Sequence, residues 1–210
     1  MPRSLREEHA ADTRQALVSA ARRLFAAQGY AATGTEQVVG AAGLTRGALY
    51  HHFRDKTDLF RAVMEQVARE VAEQVTARVL NDPGAGEPGA WAQLRAGFRC
   101  YLDVCADSDF QRIVLVDGPA ALGRDAWEVL VDQHGYDLLT AWLGRAVKEG
   151  SIPALPLPAL ARLLAAVIAE ASLYIARSGD PGRARAEIGE TVDRVLDGLS
   201  EPGGDSRGRD

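Results

Sequence analysis

Arg46, Gly47, Ala48, Tyr50, His51 and His52 fall within seven consecutive positions, and their side chains match what the surface of a nucleic-acid duplex accepts. An arginine can donate two parallel bonds to guanine O6 and N7. Glycine and alanine let a backbone come close or touch a thymine methyl, and tyrosine and histidine can donate to phosphate. Lys56 follows at the start of another predicted helix, where its ammonium and the helix's free N–H groups can meet a phosphate together. The chemistry implied is recognition of DNA.

Such residues need a helix whose opposite face is anchored. The stretch 35–56, TEQVVGAAGLTRGALYHHFRDK, supplies one as the second of two short helices. The first is expected to begin with Thr35 as its cap and to carry Val38, Val39 and Ala42 on one face. Gly43 ends it, because a glycine can take the left-handed conformation that reverses the chain. Thr45 caps the second helix, and Leu49 and Phe53, four apart, point back onto Val38, Val39 and Ala42. The outward face then holds the groove-compatible residues in a helix-turn-helix, whose second helix enters a major groove with its first residues at the base edges. Upstream, a helix from Asp12 or Thr13 to about Gln28, stopped by Gly29, places Ala16, Leu17, Ala20, Leu24 and Phe25 on a core face and Arg14, Arg22 and Arg23 outward.

The run A-G-L-T-R-G-A-L-Y-H-H-F-R-D-K-T-D-L resembles the signature of the tetracycline-repressor (TetR) family of transcriptional regulators, holding glycine, cap, Leu-Tyr, Phe and Lys together across eighteen residues. The resemblance implies a three-helix DNA-binding head over about residues 12–60 and a dimer. One position departs from expectation. Glu36 is acidic where a basic residue could have met phosphate or guanine; its carboxylate can accept from a cytosine N4 amino group or favour the helix N-terminus. The candidate DNA contacts are Thr35, Glu36, Thr45, Arg46, Gly47, Ala48, Tyr50, His51, His52 and Lys56.

The charge distribution agrees with that placement. The 210-residue chain carries a net charge of −5, but residues 1–56 hold eight Arg or Lys against five Asp or Glu, a balance of +3, while the rest holds 16 against 24, a balance of −8. Phosphate neutralisation needs only local positive charge. At 47% hydrophobic the chain can bury a substantial core. The leading residues are charged, and the longest apolar run, Leu163 to Ala169, is far short of a membrane span, so a soluble cytoplasmic protein without a membrane partner is expected. Cys100 and Cys105 lie five apart on one predicted helix and point to different faces, which disfavours a disulfide and suits reduced buried thiols.

The expected fold is all-α, in four parts: a helix-turn-helix DNA-binding domain over 1–56, a connector helix over 57–80, an effector-binding and dimerisation domain over 81–199, and a disordered tail over 200–210. The connector has apolar residues at Leu59, Phe60, Val63, Met64, Val67, Val71, Val75 and Val79. NDPGAGEPGA makes a loop, and body helices are predicted over 89–105, 108–116, 124–149, 156–178 and 182–199, with Asp117-Gly118-Pro119 as a turn.

The helix over 160–176 is apolar nearly all round, and 182–199 carries an apolar stripe, so a second copy of the chain is the expected cover, with packing entirely within one protomer as the alternative. The interface set is Leu160, Leu164, Val167, Ile168 and Ala171 on the first helix, with Ile188, Val192, Val195 and Leu199 on the second. An effector site is expected inside the body, where Phe98, Tyr101, Leu102 and Cys105 share one helical face. Phe110, Trp127 and Tyr174 add apolar wall, and Asp117, His134 and Glu170 add polar groups, Glu170 being isolated in an apolar helix where burial of a charge would be costly.

Catalytic patterns are missing: the sequence has no G-x-S-x-G, Walker loop or H-E-x-x-H, and its four histidines are scattered. No cofactor or metal is expected. The resulting expectation is a homodimeric, ligand-responsive regulator, a repressor, that binds an inverted-repeat operator and is released by a hydrophobic or amphipathic small molecule. A constitutive DNA binder without a ligand and an all-α enzyme are the alternatives.

Overall fold

A computed structural model describes residues 5–81 and 89–200, and every regular element among them is helical. In chain order they are α1 (Leu5–Ala32), α2 (Thr35–Ala42), α3 (Arg46–His52), α4 (Lys56–Asn81), α5 (Ala90–Cys105), α6 (Ser108–Phe110), a π-helical stretch (Gln111–Asp117), α7 (Gly118–Leu122), α8 (Arg124–Lys148), α9 (Leu157–Ala176) and α10 (Pro181–Ser200). Most of the loop expected at 81–90 and the tail expected at 200–210 lie outside the described residues.

The chain forms two compact units. The first spans the residues up to Glu70 together with Asp107–Val131; the second holds Val71–Ala106 together with the residues from Asp132 onward. This division differs from the sequential one read off the sequence, because α4 and α8 each contribute to both units and the segment 107–131 packs with the head.

In the first unit, Leu17, Val18, Ala20, Ala21 and Phe25 of α1, Val38 and Val39 of α2, Leu49, Phe53, and Leu59, Phe60, Val63 and Met64 of α4 make one buried core. Ala16 is exposed and Leu24 only half-buried, so the core face of α1 is turned slightly from the predicted one, with Val18 and Ala21 in their place. The helix also starts earlier, at Leu5, and Thr13 is not its cap: the hydroxyl donates to His9 O one turn back, at 2.8 Å.

Gly29 breaks the helical path as expected, with φ 83° and ψ 163°. What was not foreseen is how the break is fastened. Tyr30 N donates to Asp117 Oδ2 at 2.7 Å, and Thr33 Oγ1 donates to Gly29 O at 2.8 Å. Lys56 Nζ donates to Tyr30 O and Thr33 O at 3.0 and 3.1 Å, and it lies 4.2 Å from the Tyr30 ring centroid. The Tyr30 ring also packs on Phe25 and Phe60.

Asp117-Gly118-Pro119 is not a turn. Asp117 closes the π-helical stretch and Gly118 opens α7, where Pro119 sits in the first turn and removes no intrahelical bond. Trp127 Nε1 donates to Val114 O at 2.7 Å, so a carbonyl of the widened stretch has a partner.

In the second unit, α5 presents Trp91, Leu94, Phe98, Leu102 and Cys105 to the core, with Leu160, Ala161, Leu164, Ala171 and Ile175 of α9 and Val192 and Leu196 of α10. Ion pairs tie α5 to α10: Arg95 to Asp193 and Asp197, Arg99 to Asp193 at 3.1 Å, and Arg185 to Asp103 at 2.6 Å. Neither cysteine is in a disulfide and both are buried; burial raises the Cys105 thiol to about 12, so it stays protonated beside Ser172 Oγ at 3.2 Å.

Candidate nucleic-acid interface

The turn between α2 and α3 is built as its residues dictate. Gly43 takes φ 66°, ψ 29°, and its N–H bonds back to Gly40 O at 3.2 Å while Leu44 N reaches Val39 O at 2.9 Å. Thr45 caps α3, its Oγ1 accepting from Ala48 N at 3.2 Å. At α2 the cap is Gly34 and not Thr35: having no side chain, Gly34 cannot accept, and instead Gln37 Oε1 reaches back to accept from Gly34 N at 2.8 Å. Thr35 is therefore the first helical residue, half-buried.

Leu49 and Phe53 are buried, as are Val38 and Val39 behind them, while Ala42 is half-buried. The opposite face of α3 exposes Arg46, Gly47, Tyr50 and His51, with Ala48 and His52 half-buried. The Arg46 guanidinium lies 5.6 Å from the Tyr50 ring centroid and 3.2 Å from Glu36 Oε1 of α2. His51 and His52 meet edge to face at 5.1 Å. Burial, then His51 and Arg14, hold the His52 imidazole below its ordinary pKa, so it is neutral near pH 7. Lys56 is half-buried and uses its ammonium to hold the end of α1, a role that the sequence reading did not give it.

Several residues that position this face were given another role, or none, by the sequence. Arg14 lies 5.2 Å from the Phe53 ring, next to the C-terminal end of α3. Tyr30, Gln37 and Asp117 brace α1 and α2, and only the capping offset of Gln37, three residues after Gly34, was legible as a local signal. Among the arginines expected to face outward, Arg22 pairs with Glu70 and Arg23 is exposed.

The structure sorts the effector candidates between the two units. Phe98, Leu102 and Cys105 are buried on α5, and half-buried Tyr101 has its hydroxyl bonded toward Cys105 and Ser172, with burial raising its pKa. Phe110, Asp117 and Trp127 belong to the first unit, where Asp117 fastens Tyr30 and Trp127 holds Val114 O. Glu170 and Tyr174 do not face an interior: both are exposed on α9, Glu170 meets no burial cost, and the Tyr174 hydroxyl donates to Glu187 at 3.0 Å. The His134 side chain lies outside the described residues.

The dimer candidates divide similarly. Leu160, Leu164, Ala171 and Val192 are buried within the chain, since α9 and α10 pack on α5 and on each other. Val167, Ile168, Ile188 and Leu199 are half-buried, and Val195 is 48% exposed. Leu163, absent from the predicted set, is 66% exposed. By length and composition α9 could cross a membrane, with a mean hydropathy of 1.7 over its most apolar window, so the apolar stretch is longer than the run from Leu163 to Ala169 suggested.

A helix-turn-helix with an open recognition face, followed by an all-helical body, is the form of a DNA-binding regulator. Residues 17–63 match the family of bacterial regulatory proteins, tetR family, and residues 91–199 match the tetracyclin repressor-like C-terminal domain. The chain belongs to the TetR family of transcriptional regulators, which are not enzymes. It is similar to a TetR-family regulator of known structure from Pectobacterium atrosepticum, 32% identical, with a TM-score of 0.81 and 95% of this chain and 98% of that one covered. It is 27% identical over 158 residues to the transposon Tn10 TetC protein of Escherichia coli, covering 75% of this chain and 77% of the other. Against the regulator AcrR of Shigella flexneri it is 42% identical over 73 residues, 35% of this chain and 34% of that protein.

Proposed function

We propose that the chain is a cytoplasmic homodimeric repressor that reads an inverted-repeat operator with α2 and α3 and is released by a small hydrophobic or amphipathic effector. The observation that carries this reading is the outward face of α3. Its donors, Arg46, Tyr50 and His51, are exposed beside the small residues Gly47 and Ala48, while Leu49 and Phe53 anchor the helix from behind. One such face specifies only a few base pairs, so two are needed, and a two-fold dimer requires half-sites about 34 Å apart or slightly more.

A stripe on α9 and α10 supports the dimer. Leu163, Ala166 and Tyr174 recur at helical spacing on the exposed side of α9, with the carboxylate of Glu170 among them, and Val195, flanked by half-buried Ile188 and Leu199, does so on α10. An isologous pairing of two such helix pairs would cover that apolar area. For the effector, α5 offers an apolar wall at Phe98, Leu102 and Cys105, and the hydroxyls of Tyr101 and Ser172 could orient a ligand. Such a ligand acts only by binding the released state more tightly than the DNA-bound one.

The test is to recover the genomic fragments that the purified protein retains, then to challenge the complex with substrates and products of the neighbouring genes. A recurring inverted repeat and one compound that releases it are expected. Retention of no sequence above background would remove operator recognition, and a repeat that no such compound releases would leave the constitutive binder.

A further inference from the structure

Glu36 and Arg46 come from different helices yet meet at 3.2 Å on open surface, about two-thirds exposed each. An exposed ion pair contributes little to stability. It does change what the recognition face demands of a duplex. A carboxylate is repelled by the phosphate backbone and is tolerated only where it faces base edges that donate. In a G·C pair the major groove shows one such donor, the cytosine N4 amino group, next to the guanine O6 and N7 that an arginine takes. Glu36 also competes with phosphates for the Arg46 guanidinium and, with the Tyr50 ring on another side, keeps it over the groove face of α3. Nothing crowds the neighbouring surface: a Cβ at Gly40 would meet open space, and one at Gly47 would meet only Thr45 Oγ1, at 3.9 Å.

We infer that Glu36 and Arg46 act as one two-residue reader of a G·C pair in each half-site, with Arg46 donating to the guanine and Glu36 accepting from a cytosine amino group. Glu36 is then a specificity-determining residue, whose carboxylate lowers affinity for every site that lacks the amino donor. The inference rests on the operator-reading function proposed above.

The experiment uses full-length wild type, Glu36→Gln, Arg46→Ala and the double variant, each allowed to select from a pool of randomised duplexes. Affinities for the selected site and for the unselected pool are then measured by anisotropy at one fixed salt concentration. Wild type should select a site with a G·C pair that Arg46→Ala no longer selects. Glu36→Gln keeps an acceptor but loses the charge that penalises other sites, so it should lose preference at that same pair by about fivefold, through tighter binding of sites without the amino donor. It should also bind the unselected pool more tightly than wild type, and the double variant should show no further loss at the pair. Both side chains are exposed, so the helical circular dichroism of the variants should match wild type. Unchanged selection by Glu36→Gln, or a loss at a pair that Arg46→Ala leaves intact, would overturn the coupled reader. Failure of wild type to select any sequence would instead overturn the operator reading on which it depends.

Discussion

Among the described residues, two open faces differ in kind. The outward side of α3 exposes donors on short, well-anchored helices: Arg46, Tyr50 and His51 around Gly47, fixed by a left-handed glycine and a threonine cap. The outward side of α9 and α10 exposes area: Leu163, Ala166, Tyr174 and Val195. The first can be satisfied only by acceptors at set directions, so each residue has a nameable job. The second can be satisfied by any complementary apolar surface, so single residues matter less than their sum. A substitution on the first face should change what is bound, and one on the second whether two copies act together.

The largest expected effect is therefore on the apolar face. Val195→Asp adds a charge where the monomer already exposes the side chain, so the fold should persist while the dimer is lost. Operator affinity should fall by about a hundredfold or more, because two tethered heads become one. Sedimentation equilibrium and operator titration check it together; a dimeric Val195→Asp protein with full affinity would show that the stripe is covered by something else.

Next come two changes that separate the jobs on the polar face. Arg46→Ala should weaken the operator by about 1–3 kcal/mol with relaxed specificity, while Lys56→Ala should weaken all duplexes alike and lower the salt slope by about one. The structure adds a second consequence for Lys56. Its ammonium holds Tyr30 O and Thr33 O, so Lys56→Ala should also lower stability by about 1–3 kcal/mol, read in a urea titration without DNA, whereas Arg46→Ala should not. Equal stability of the two variants would return Lys56 to a phosphate contact alone.

The smallest effect concerns His52. Its pKa in the folded protein is held below the ordinary 6.5 by burial, His51 and Arg14, so the unfolded chain takes the proton first. Stability is then unaffected above about pH 6.5 and declines as pH falls below it, until the folded value is passed. A proton on His52 beside phosphate should strengthen DNA binding, so the fold should weaken and the complex tighten over the same interval. His52→Gln should flatten both profiles; thermal melts and operator titrations between pH 5.5 and 7.5 would measure them.

The head was legible because its signals are local. The Gly43 turn, the Thr45 cap and the burial of Val38, Val39, Leu49 and Phe53 follow from offsets of three and four residues. The same is true of the apolar positions of α4, from Leu59 to Val79, all buried. Local rules misplaced the cap of α2, where Thr35 looked competent but the extended residue proved to be Gly34.

Composition and periodicity also determined that the chain would be helical, that Gly29 would break α1 and that the cysteines would stay apart. Only the tertiary structure decided which side of each body helix is left over. Leu160, Leu164 and Ala171 vanish under neighbouring helices while Leu163 stays open, because an all-apolar helix carries no pattern that marks its buried side. Long-range partners decided the rest. Glu170 is exposed in the single chain, Asp117 serves the backbone of Tyr30, and Glu36 of α2 meets Arg46 of α3, three outcomes set by packing between elements.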